Sequence, residues 1–211
     1  MNCIGKTIKA LKGIMKGVHM RTSDAFNVID YIIPITEITA VSTTNQPAND
    51  GVEVVSSSAS DTQQITLWGN PNGSTDIVYE TITLTGTTAV STIKTDWGTI
   101  YGAFLGDQYG LISQRAVGTI TIREASGDLA ITTIAVGKLG TGQQRFALAG
   151  RKVGIENILG VTYFNTGNAL AATTSASAQM EARMTISTTV DSFLTLVSDG
   201  TGSTLQVYVF K

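Results

Sequence analysis

Threonine alternates with aliphatic residues along this chain, and a glycine turn follows such runs. Residues 80–88 read Glu-Thr-Ile-Thr-Leu-Thr-Gly-Thr-Thr, residues 118–122 Gly-Thr-Ile-Thr-Ile, and residues 63–69 Gln-Gln-Ile-Thr-Leu-Trp-Gly. A period of two sends Ile82 and Leu84 to one face and Thr81, Thr83 and Thr85 to the other. Each run is therefore a half-buried strand with a wetted, uncharged face. Several such strands joined by glycine turns predict an all-β sandwich or barrel. The pattern yields an architecture and marks no chemical site.

The wetted faces are unusual in what they lack. Charged residues make up 14% of the chain, against about a quarter in an average domain. Threonine and serine take their place, and such a face loses less side-chain entropy on meeting a partner than lysine or glutamate would. β propensity alone accounts for the threonines equally well. At 211 residues the chain buries enough surface to fold without a disulfide. Cys3 is its single cysteine and can form no internal bridge.

The charge is unevenly placed. Lys6, Lys9, Lys12, Lys16 and Arg21 precede the first acid, Asp24. Beyond residue 21, nine basic residues face sixteen acidic ones, although the whole chain is only at -2. Ile4, Ile8, Leu11, Met15 and Val18 follow a helical spacing, while Gly5, Gly13 and Gly17 each weaken a helix by about 1 kcal/mol. The expectation is a basic arm that orders against a partner. Docking to a neighbouring subunit, an anionic membrane surface and nucleic acid all fit it, and so does a solvated tail. The residues expected to touch the partner are Lys6, Lys9, Lys12, Lys16, Arg21, Ile4, Ile8 and Leu11. Lysines interrupt the apolar residues too often for a signal peptide. No apolar run reaches the ~18 residues of a membrane span.

Residues 26–41 are apolar, but Pro34 has no amide hydrogen to give, so an extended edge strand or arm is expected there. Residues 42–51 read as a linker. Regular strands are expected near 52–56, 63–68, 77–84, 88–93, 98–105, 117–123 and 129–136. In the last of these a bulge at Thr132-Thr133 would keep Leu129, Ile131, Ile134 and Val136 on one side. Further strands are expected near 144–148, 152–155, 158–164 and 180–187. Residues 165–178 read as an exposed loop of small residues. A hairpin closes the chain, 193–197 with 204–210. The organisation expected is an arm and linker over 1–50 and one antiparallel β-sandwich, jelly-roll-like, over 51–211.

No constellation for catalysis emerges. His19 is the single histidine and lies in the arm, away from any triad or His-rich metal site. Residues 137–142, Gly-Lys-Leu-Gly-Thr-Gly, have glycines spaced as in a phosphate loop. Gln143 and Gln144 stand where its lysine and hydroxyl belong, so a turn between strands is expected. Asp61, Asp76, Asp107, Asp128 and Asp199 fall in turns, where aspartate caps backbone amides. Calcium is an alternative at Asp107, Asp128 or Asp199. Trp97, Tyr101 and Tyr109 are the best candidates for stacking on a sugar, and core packing is the competing account.

The order of phrases over residues 61–148 carries one resemblance. Asp61-Thr62 leads into Ile65-Thr-Leu-Trp-Gly69, then Glu80-Thr-Ile-Thr-Leu-Thr-Gly-Thr-Thr-Ala-Val90, Gly118-Thr-Ile-Thr-Ile-Arg123, Ala130-Ile-Thr-Thr-Ile-Ala-Val-Gly137 and Gln143-Gln-Arg-Phe146. This run resembles β-rich virion proteins of tailed bacteriophages, including capsid accessory proteins of the cement or decoration type. The resemblance implies a structural particle component without enzymatic activity or cofactor, located in the virion after assembly in the host cytoplasm. Its partners would be the major capsid protein or other virion subunits, with self-association into a homo-oligomer and no small-molecule substrate. The arm lies outside the matched pattern. A carbohydrate- or receptor-binding β module of a tail or cell surface is the alternative.

Overall fold

The computed structural model of the chain describes residues 29–36, 45–111, 114–127, 129–159, 162–166, 178–181, 183–198 and 204–211. Among these residues every regular element is a strand. In chain order they are β1 (Ile29–Thr36), β2 (Val52–Ser56), β3 (Gln64–Pro71), β4 (Val78–Thr83), β5 (Val90–Ser91), β6 (Trp97–Leu105), β7 (Ile120–Glu124), β8 (Ala130–Ile134), β9 (Gly140–Gly142), β10 (Gln144–Phe146), β11 (Lys152–Leu159), β12 (Thr162–Asn165), β13 (Ala178–Met180), β14 (Thr185–Thr189), β15 (Leu194–Ser198) and β16 (Thr204–Phe210). They form four antiparallel sheets of four strands, ordered β5-β2-β7-β8, β4-β3-β6-β9, β1-β16-β11-β14 and β10-β15-β12-β13.

The alternation governs the first two sheets. Ile82 and Leu84 are buried while Thr81, Thr83 and Thr85 are exposed. Val52, Val54, Ile120 and Ile122 from one sheet meet Ile65, Leu67, Ile100 and Leu105 from the other in one apolar core. A second core joins Val153, Ile155, Val207 and Val209 to Leu194, Leu196 and Phe146 across the other two sheets. Residues 51–211, expected as one sandwich, thus carry two sheet pairs. Within residues 26–41, expected as an extended edge strand or arm, Ile29–Thr36 is the outer strand of its sheet, paired with β16 and placing Pro34 opposite Gln206. It belongs to the second sheet pair, so β2–β9 stand in the chain between two neighbouring parts of one sandwich.

Leu84 is 1% exposed. Replacing it with alanine should cost about 2–5 kcal/mol, through lost burial and the cavity left behind. Thr83→Ala, on the exposed face of the neighbouring residue, should stay within about 0.5 kcal/mol of the parent. Denaturant unfolding of the two variants checks the facing, and equal losses would overturn it.

Three expectations need correction. The bulge of β8 lies at Ile131, since Arg123 pairs with Ala130 and Ile122 with Thr132. Ile131 and Ile134 are buried there, but Leu129 and Val136 are exposed. The strands expected at 152–155 and 158–164 are instead one long β11, whose pairing with β16 runs on past Ile155, followed by a short β12. The run 180–187 is broken between β13 and β14, where Arg183 takes a positive φ of 68°. Its amide reaches the Asn157 carbonyl at 2.6 Å instead of continuing a ladder. The helical arm expected over the first residues lies outside the described ones.

Candidate functional site

The two sandwiches meet around one buried cation. Only Gln143 separates β9, in the sheet of β6, from β10, in the sheet of β15. The chain thus leaves one sheet and enters the other within a residue. The Gln143 amide donates to the Tyr101 carbonyl at 3.0 Å, and its carbonyl accepts the Trp68 indole N–H at 2.9 Å. Gly102 is required beside it, because a Cβ there would lie 2.0 Å from the Gln143 carbonyl oxygen. Two residues later comes Arg145, which is 1% exposed. Its Nε donates to the Tyr79 hydroxyl at 2.6 Å and its Nη1 to the Thr195 hydroxyl at 3.2 Å. The guanidinium lies 4.2 Å from the Phe193 ring and 5.8 Å from the Trp68 ring. Tyr79 stacks on Phe193 at 5.7 Å and 17°.

The cluster is an internal clamp. Tyr79 and Trp68 come from the β3-β4 hairpin, Thr195 and Phe193 from β15 and the turn before it, so Arg145 ties the two sandwiches together. A planar, always-charged guanidinium suits this place, because it can donate in its plane while aromatic faces cover it. Burial pushes the Tyr79 hydroxyl up to about 12, with the Arg145 charge and hydrogen bond working against the rise. Enclosed in this way, Arg145 presents no surface to a ligand.

Other carboxylates likewise hold the fold. Asp61 is fully buried, and its two oxygens accept from the Ser56 hydroxyl at 2.5 Å, the Gln63 amide at 2.9 Å, and the backbone amides of Val117 and Gly118 at 2.9 and 2.8 Å. Glu80 accepts from the amides of Ile93 and Lys94, and Lys94 pairs with Asp96 at 2.8 Å. The loop so held leaves Ile93 92% exposed. Glu53 pairs with Arg123, and Asp30 with Arg151.

Of the residues singled out in the sequence, Ile4, Lys6, Ile8, Lys9, Leu11, Lys12, Lys16 and Arg21 lie outside the described ones, as do Cys3, His19, Asp128 and Asp199. Asp107 closes its own loop, accepting from the amides of Tyr109 and Leu111 at 3.0 Å each. Among the described residues no three histidines, cysteines or acids gather as metal ligands would, and no helix is long and apolar enough to cross a membrane. Of residues 137–142, Gly137 lies in a turn at φ 76° and Gly140–Gly142 are β9 itself, with no helix after them among the described residues. The aromatic candidates are not brought together. Trp97 is fully buried in the core of the first sheet pair, where its indole N–H donates to Thr92. Tyr101 packs on Trp68 at 5.4 Å, against the other core. Tyr109 sits apart, half exposed, on the loop whose carbonyl receives the Tyr31 hydroxyl.

β6 has two bulges, and the one at Gly98 lies between Trp97 and Tyr101 and parts them. Trp68 faces Gly102 and Gly69 faces Ile100, so Tyr101 is extra, and Gly98 is extra in the same way. Each extra residue flips the alternation. Arg145 was missed because its partners are distant: Tyr79 is 66 residues away and Thr195 is 50. The one local signal is a lone cation in the short run Gln144-Arg145-Phe146, all of it buried. Comparison with protein-family models, with curated proteins and with solved structures found no match.

Proposed function

We propose that this chain is a structural component of a phage virion, a capsid accessory protein of the cement or decoration type that binds the major capsid shell and stabilises it. The observation that carries the reading is the strand order of the sandwich built by β1 and β10–β16. With β2–β9 set aside as an insertion, these strands run first-eighth-third-sixth in one sheet and second-seventh-fourth-fifth in the other. That order supports reading the sandwich as a jelly roll, the two-Greek-key arrangement that recurs in viral capsid and lectin domains. The insertion between its first and second strands supports a division of labour, with one sandwich as a platform and the other offered to a partner. The engaged carboxylates and the enclosed Arg145 favour a binding role over a chemical one.

Shell binding would proceed by burying apolar and threonine-rich surface across subunit joints, with many weak contacts summed over a lattice. The basic arm, with Lys6, Lys9, Lys12, Lys16 and Arg21 on its polar side and Ile4, Ile8 and Leu11 on its apolar side, would dock on a neighbouring subunit. Deleting residues 1–21 should leave the melting temperature unchanged and abolish saturable binding to shells that lack the protein. A large loss of stability with shell binding intact would sink this role for the arm. Absence of binding by the full chain to such shells, together with reproducible signals on a glycan array, would replace the reading by a carbohydrate-binding one.

A further inference from the structure

The sheet edges of this protein are unequally protected. An open edge presents unpaired amides and carbonyls to any passing strand, and folded proteins blunt such edges with short length, charge, proline or bulges. Among the described residues, β5, β9, β10 and β13 are two or three residues long. On β1, Pro34 stands in the second half of the strand and the Asp30–Arg151 ion pair near its start. Glu80 charges β4. β8 is bulged at Ile131, and its Ala130 carbonyl accepts the Asn45 side chain at 3.2 Å.

β14 carries none of these devices. It reads Thr-Ile-Ser-Thr-Thr over Thr185–Thr189, without charge or proline, and pairs with β11 through five residues without a register shift. Thr185, Ser187 and Thr189 are exposed. Exposed apolar side chains flank its start. Met184 is 41% and Ile158 45% exposed, and the Met184 carbonyl accepts the Asn157 amide at 2.9 Å. Among the described residues no strand lies on its far side.

We propose that β14 is a self-association edge whose occupant is β14 of a second copy of this chain. An antiparallel strand related to itself by a two-fold axis meets its own pattern of donors and acceptors, so the contact is isologous and closes at two copies. The pairing joins β1-β16-β11-β14 of each copy into one continuous sheet. Met184, next to Thr185, then lies at each end of the seam, and the small hydroxyl side chains cost little entropy to order there. The inference goes beyond the shell-binding reading and does not rest on it, because it concerns the purified chain alone.

The test is the mass of the full chain by light scattering after size exclusion. The parent should run at twice its 22.2 kDa. Ser187→Lys and Thr189→Lys, which set like charges at the seam, should each give a monomer of unchanged melting temperature. Deleting residues 1–21 should leave the dimer intact. A parent that stays monomeric up to its solubility limit overturns the proposal. So does a dimer indifferent to both lysines, or one that is lost with the arm.

Discussion

Arg145→Ala should destabilise the protein by about 3 kcal/mol. A desolvated cation between aromatic rings contributes about 2 kcal/mol, and a buried hydroxyl left without its partner costs about 1–3 kcal/mol. Here both the Phe193 face and the Tyr79 and Thr195 hydroxyls lose the guanidinium together. Relief of burying a charge offsets part of that sum. Lysine should not rescue, since it lacks the planar fork. Arg145→Met combined with Tyr79→Phe should recover part of the loss, because the orphaned hydroxyl leaves with the cation. Tyr79 adds a pH signature. Its folded value of about 12 lies above the ordinary 10, so its contribution is whole below pH 10 and is lost as pH rises from 10 through 12. Urea unfolding at neutral pH and a base titration followed by tyrosine absorbance check both statements. A variant within about 0.5 kcal/mol of the parent would show that the clamp holds nothing.

The strands that could be read from sequence are those whose faces meet different media. Ile82, Leu84, Ile120 and Ile122 are buried, with exposed or half-buried threonines beside them in the chain, and period two reports that contrast directly. β6 hid its facing because both of its sides are covered: Trp97 and Ile100 go to one core, Tyr101 and Phe104 to the other. With no wet face there is no alternation to read, and its two bulges scramble the parity that remains. That is why Trp97 and Tyr101, four residues apart, look like neighbours in sequence and stand in separate cores.

The insertion was illegible for a related reason. β1 finds β16 across the whole chain, Ile33 opposite Val207, and nothing near Ile33 in sequence announces so remote a partner. The linker after it reads as the end of an arm, whereas the residues beyond it begin an inserted sandwich. Pro34 could be read, since a missing amide hydrogen confines it to an edge wherever the strand pairs. The clamp at Arg145 joins both problems. It exists only where the inserted sandwich returns to the strand that receives it, a place defined by topology and by no local motif.

Asp61 was legible as a turn residue, but its depth was not, and this depth makes it the second large test. Asp61→Ala should cost about 3–4 kcal/mol. Four donors point at its carboxylate, two of them backbone amides at Val117 and Gly118, and each buried donor left unmet costs about 1–3 kcal/mol. Water entering the vacated space would supply some of the missing acceptors, which keeps the expected loss well below the sum. Asp61→Asn should lose less, since it keeps one acceptor oxygen and the shape. The two variants also differ from the parent in acid. Burial is the largest influence on the Asp61 carboxyl and pushes its pKa up, but the hydrogen bonds from Ser56, Val117, Gln63 and Gly118 together outweigh it and leave the pKa below the ordinary 3.8. A depressed folded value means the contribution is complete above pH 3.8 and is lost as pH falls through the folded value. Thermal unfolding of parent and Asp61→Asn should therefore converge as pH falls below 3.8. A gap that stays constant over that range would mean the carboxylate form is not what those four donors hold.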